Sequence, residues 1–220
     1  MPLVDFLTQV HTSTKRDYLE RVCKHDKVAC AEKAALFGKD YWDGDRSTGY
    51  GGYQYDGRWR AVAKKIAEHY KLPSDASILD IGCGKGFLLY EFTQILPGAR
   101  VAGIDISQYA IDNSKEEVRD FLKSGNASAL PFDDGSFDFV YSINTLHNLY
   151  VDGIFAALRE MERVRRGPSY LTVEGYRNER EKVNLMYWQL TCRAFHTPEE
   201  WEWIYRQAGY TGDYSFIYFE

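Results

Sequence analysis

The stretch ILDIGCGKGFLL, residues 78–89, joins a short apolar run to a longer helical pattern through Gly82, Gly84 and Gly86. The run before the glycines reads as a buried strand ending in Asp80. The glycines read as a tight turn that lets the backbone approach a ligand, and the helix that follows offers free amides at its N-terminus. About 20 residues beyond the last glycine stands Asp105, closing a second apolar run, VAGIDIS. An acid at that point can accept hydrogen bonds from both ribose hydroxyls.

Outward from this stretch, SILDIG, KGFLLYEFTQIL, RVAGIDI, QYAIDNSKEEVRDFL, SFDFVYSI, FAALREMERV and SYLTVEGY alternate strand and helix patterns. That order predicts an α/β fold, doubly wound, with a mainly parallel sheet. TPEEWEWIYRQAGY opens with a capping box, Thr197 with Glu200, and Pro198 at the first helical position. YSFIYFE at the end reads as an edge or hairpin strand. Before the sheet, RWRAVAKKIAEHYKL is a helix bounded by Leu72-Pro73, and residues 12–37 carry one or two amphipathic helices. Between them DGDRSTGYGGYQYDGRW, residues 43–59, has glycines, tyrosines and no aliphatic side chain. Such a loop needs a ligand or tertiary contacts to hold it.

The chain has 220 residues, 45% of them hydrophobic, enough for one domain with an extension. Its formal charge of −5 argues against a nucleic-acid partner. Cys23, Cys30, Cys83 and Cys192 form no CxxC pair, so neither a metal site nor a disulfide framework is expected. No signal-peptide pattern and no apolar run of about 18 residues is present, which predicts a cytoplasmic protein without membrane attachment.

Two ligand classes share a glycine turn of this kind. The dinucleotide fingerprint is G-x-G-x-x-G, whereas this run is G-C-G-K-G behind Asp80. It resembles motif I of class I S-adenosylmethionine-dependent methyltransferases, (V/L)LD(V/I)GCGxG, in the type 11/25-like domain group. The likeness continues through GNASALPFDDGSFDFV, residues 125–140, and SINTLHNL, residues 142–149. It implies a Rossmann-like, seven-stranded sheet closed by an antiparallel hairpin strand, with S-adenosylmethionine as cofactor. The cofactor residues it implies are Asp80, Gly82, Cys83, Gly84 and Gly86 in the turn, and Asp105 at the ribose. Ile106 would pack on adenine, Asn126 and Ala127 would lie beside the adenine amine, and Ile143 and Asn144 beside the methionine part. Residues 73–220 then form the cofactor domain, and residues 1–72 a helical extension carrying a glycine- and tyrosine-rich lid. From that lid Tyr50, Tyr53 and Arg58, with Arg46, are expected at the cofactor, where rings favour a cation and an arginine suits a carboxylate.

Acceptor chemistry belongs at the carboxyl ends of the strands, which selects His147, Glu174, Tyr176 and Asn178. His147 could be a general base, orient substrate or cap a helix. Glu174 could face a cationic amine or satisfy a neighbour such as Arg177. Residues 180–196, with Trp188, would form a wall of the acceptor pocket, or core packing, or a homodimer surface. Tyr55 completes the expected substrate contacts. The activity read from this is methyl transfer to an oxygen or nitrogen of a small molecule. Side-chain methylation of a protein, a nicotinamide-dependent oxidoreductase and a non-catalytic binding module remain the alternatives.

Overall fold

The computed structural model describes residues 1–12 and 16–220. Six strands form one sheet in the order β3-β2-β1-β4-β5-β6, every pair parallel. They are β1 Ser77–Ile81, β2 Arg100–Asp105, β3 Leu122–Ser124, β4 Phe139–Ile143, β5 Ser169–Glu174 and β6 Asp213–Ile217. The helices are α1 Thr8–Thr12, α2 Tyr18–Cys23, α3 Lys27–Ala34, α4 Lys39–Trp42, α5 Trp59–Tyr70, α6 Phe87–Ile95, α7 Gln108–Asp112, α8 Val151–Val164, α9 Glu179–Trp188 and α10 Pro198–Ala208.

Every residue of β1 and β5 is buried, as a parallel strand covered on both faces requires. Alternate residues serve opposite layers. Leu79, Ile81, Val140 and Leu171 pack with Ile154, Leu158, Trp201 and Tyr205 of α8 and α10. Ile78, Phe139 and Tyr170 pack with Val62 and Ile66 of α5, Leu89 and Phe92 of α6, and Phe6 from the start of the chain. The first residues therefore share the core of the sheet.

The sheet differs from expectation at one edge. Six strands are present among the described residues, and the closing strand, β6, runs parallel to β5. The reason lies in the connection: β5 to β6 passes through α9 and α10, and a helical crossover returns the chain in the same direction, whereas an antiparallel return follows from a short hairpin. The outer edge of β6 is paired by the chain's own start, with Val4 N–H donating to the Tyr214 carbonyl (2.9 Å) and Tyr214 N–H to the Pro2 carbonyl (3.2 Å).

Caps set the helix limits. Thr197 and Glu200 form the expected capping box on α10, which ends at Gly209 with φ 78°. Asp17 and Asp26 accept amide hydrogens at the starts of α2 and α3. The sequence reading of residues 12–37 also touches residues 13–15, which lie outside the described residues. Among the described residues no helix is long and apolar enough to cross a membrane.

Candidate functional site

The strand order reverses between β1 and β4, and ligands of open α/β sheets bind outside the carboxyl ends of the strands at such a switch. After β1 the chain turns through Gly82 (φ 85°), Gly84 (φ 53°) and Gly86 (φ 71°) into α6. All three positions are also sterically closed, Gly86 by Val118 at 2.9 Å. A Cβ on Gly82 would lie 1.8 Å from Thr145 Oγ1, and one on Gly84 2.7 Å from the Trp42 ring.

A cavity of about 230 Å³ opens over this turn. Asp80, Gly82, Cys83, Gly84, Asp105, Ile106, Asn126, Ala127, Ile143, Asn144, Tyr50 and Tyr53 all line it, from the sequence-derived cofactor set. Gly86 does not; it closes the turn against Val118 and Leu122. Asp105 is buried, and its carboxylate accepts the Gly84 amide (2.7 Å) and the Ser107 amide (2.8 Å). Burial pushes both Asp105 and Asp80 above the usual carboxylate range, and Asp105 adds to the shift at Asp80. Two neighbouring buried acids held this way favour a ligand that carries positive charge. Asn144, in left-handed backbone geometry (φ 57°), has a buried Oδ1 without a partner. Asn126 spends its side-chain oxygen on the Ser128 amide (2.9 Å).

The roof of this cavity comes from the chain before β1. Phe37, Tyr41, Trp42, Tyr50, Tyr53 and Trp59 all face it. Trp42 donates its ring N–H to Ser107 Oγ (2.8 Å), and Lys85 Nζ reaches both Asp43 oxygens at 2.7 Å and the Tyr53 carbonyl at 2.9 Å. Lys85 is 3% exposed, so this latch works where water screens it little. Sequence reasoning missed Trp42, Asp43 and Lys85. Their signal was present, a tryptophan and an acid at the head of the glycine and tyrosine loop and a lysine inside the glycine turn.

A second cavity, of about 370 Å³, adjoins the first. Tyr41, Tyr50, Tyr53, Trp59 and Asn144 line both and form the passage between them. His147, Glu174, Trp188 and Arg58 line the larger cavity alone, Arg58 in an ion pair with Asp56. His147 is 2% exposed, and burial pushes its pKa down to about 3. Its Nδ1 accepts the Glu174 amide at 3.4 Å, and its Nε2 stands 3.5 Å from Glu174 Oε2. Glu174 takes a hydrogen bond from Gln189 on Oε1, while Oε2 is buried without a partner. Burial pushes the Glu174 pKa up to about 8, with Gln189 and Arg16 opposing the shift.

Three expected substrate residues lie elsewhere. Tyr55 donates its hydroxyl to Glu91 (2.5 Å) and packs on Phe87 and Tyr90. Asn178 is the exposed N-cap of α9, bonded to the Glu181 amide. Tyr176 packs beside Leu185, Ile217 and Phe219, under Lys182. Arg177 pairs with Glu181 and Glu220, which leaves Glu174 without it.

Residues 79–172 match the methyltransferase-domain family. A demethylmenaquinone methyltransferase of Roseiflexus castenholzii is 30% identical over 184 residues, covering 71% of this chain and 75% of that protein. In fold, the chain is similar to the YcgJ protein of Bacillus subtilis, with TM-score 0.56, 20% identity and 66% of each chain covered. It is also similar to a geranyl diphosphate C-methyltransferase of Streptomyces coelicolor solved with S-adenosyl-L-homocysteine, with TM-score 0.52, 16% identity, 72% of this chain and 68% of that one. With this match laid over the glycine turn, the buried acid at the end of β2 and the roofed cavity, the chain belongs to the class I methyltransferases and is an S-adenosylmethionine-dependent enzyme.

Proposed function

We propose that the protein methylates an oxygen or nitrogen of a small molecule bound in the larger cavity. The observation that carries this is the second cavity, joined to the cofactor cavity through Tyr50, Tyr53 and Asn144. Its volume of about 370 Å³ suits a compact organic acceptor rather than a polypeptide segment. Extract incubated with methyl-labelled S-adenosylmethionine and the enzyme should yield label in acid-soluble small molecules. Label recovered in acid-precipitated protein instead would overturn the reading.

Within the cofactor cavity, Asp105 would take the ribose hydroxyls, the Gly82–Gly84 turn would admit the ligand close to the backbone, and Asp80 with Asn144 Oδ1 would face its positive charge. When bound, the cofactor supplies an electrophilic sulfonium methyl whose sulfur keeps the bonding pair. The protein's part is alignment, exclusion of water and removal of one proton. Glu174 removes it: Oε2 is unpartnered, and a pKa near 8 matches a base working close to neutrality. His147, kept neutral by burial, tethers the end of β5 through the Glu174 amide instead of accepting the proton.

Residues 43–59 act as the lid. Its amides at Tyr50, Gly52 and Tyr53 donate to the Tyr41 and Trp42 carbonyls, so opening the roof must break them. Hydrogen exchange of these amides should slow by about tenfold when the cofactor binds, because opening then costs the ligand's contacts as well. Equal exchange with and without cofactor would rule the lid out.

A further inference from the structure

The larger cavity gathers more positive charge than transfer to a neutral acceptor uses. Three guanidinium groups surround the Trp188 ring, with Arg16 5.5 Å, Arg21 4.6 Å and Arg46 5.2 Å from its centroid. Arg21 donates to the Arg46 carbonyl (3.0 Å), and its Nε is buried without a partner. Arg46, at the mouth, donates to the Tyr50 carbonyl (2.7 Å) and the Gly49 carbonyl (3.3 Å). These are neutral acceptors, so they leave the charge uncompensated. The acids on the same wall do not supply the counter-charge. Asp56 is engaged with Arg58, and Glu174 faces Gln189 and His147 and makes no ion pair with Arg21 or Arg46. Arg21 feels the crowding: burial and the Arg46 charge push its pKa down to about 10.

We propose that the methyl acceptor is a flat organic carboxylate, held through its carboxylate by Arg21 and Arg46 beside Trp188. This rests on the small-molecule reading of the larger cavity. The guanidinium fork matches a planar carboxylate, and two forks side by side are tolerated once an anion lies between them. Trp188, Phe219, Trp59 and Tyr50 give the cavity aromatic walls suited to an unsaturated or aromatic body. Arg21, Arg46 and Trp188 line the larger cavity alone, whereas Tyr50, Tyr53 and Asn144 line both. The carboxylate is therefore anchored on the acceptor side, in the larger cavity, and the methylated oxygen or nitrogen is at the end of the molecule that faces the cofactor cavity.

The test is calorimetry on the full chain saturated with S-adenosylhomocysteine, using benzoate, benzamide and phenyl phosphate as probes. Benzoate should bind at least about tenfold tighter than benzamide, the scale of one charge-assisted pair. Arg21→Met should erase that preference with the S-adenosylhomocysteine affinity unchanged, and Arg21→Lys should keep part of it. Benzoate binding no better than benzamide, or not at all, overturns the proposal, as does a preference that survives Arg21→Met. Phenyl phosphate binding tighter than benzoate would replace the carboxylate with a phosphoryl group and overturns it too. Failure of S-adenosylhomocysteine to bind the unaltered protein would strike the cofactor cavity instead, a distinguishable result.

Discussion

Asp105→Ala should weaken S-adenosylmethionine binding by about 10²- to 10³-fold while the protein stays folded. Two hydrogen bonds from ribose hydroxyls to one ionised carboxylate are worth roughly 1.5–3 kcal/mol each, and the upper part of that range is not reached when water enters the gap. The fold survives because the carboxylate is itself a cost. Burial raises its pKa, so the ionised form is less stable in the folded protein than in the unfolded chain. What is lost inside the protein is the pair of contacts to the Gly84 and Ser107 amides. Calorimetric titration with S-adenosylhomocysteine, alongside a melting curve, measures both. An unchanged affinity would remove Asp105 from the ribose.

Glu174→Gln should lower kcat by about 10²- to 10⁴-fold, the usual worth of a positioned general base. In the unaltered enzyme log kcat should rise with pH and level off above about 8, since only the ionised carboxylate accepts a proton. The variant should lose that dependence. Stability should move the other way. A glutamate whose pKa is raised on folding stabilises fully below its unfolded value of 4.5, and that contribution is lost as pH rises through about 8. Glutamine carries no such loss, so the variant should melt higher than the unaltered protein at pH 9. A slower but more stable enzyme separates the base from a structural acid. A wild-type pH profile retained in the variant would dismiss Glu174 as the base.

The cofactor half of the molecule was legible in the sequence because it is local. A strand, a glycine turn and an acid about 20 residues on sit in one βαβ unit, where sequence neighbours are spatial neighbours. The parallel direction of β6 was hidden because YSFIYFE has the alternation of either kind of edge strand, and direction is decided by α9 and α10 before it. The proposed roles of His147 and Glu174 were hidden for a different reason. Their order as bases inverts only through burial, which pushes a histidine down and a glutamate up. Arg21 carried no signal at all, as a surface-patterned residue of a short helix whose partner, Trp188, lies far along the chain.

The make-up of the larger cavity has a consequence for redesign. Apart from Asn144 and His147, every residue lining it lies outside the stretch 79–172 that matches the methyltransferase-domain family. That stretch holds the glycine turn and Asp105. The proposed acceptor contacts lie in the flanks, in residues 7–59 and 174–219, together with the roof of the cofactor cavity. Flank substitutions that spare Tyr41, Tyr50, Tyr53 and Trp59, shared by both cavities, and the proposed base Glu174 should therefore alter what is accepted while leaving the glycine turn and Asp105 untouched.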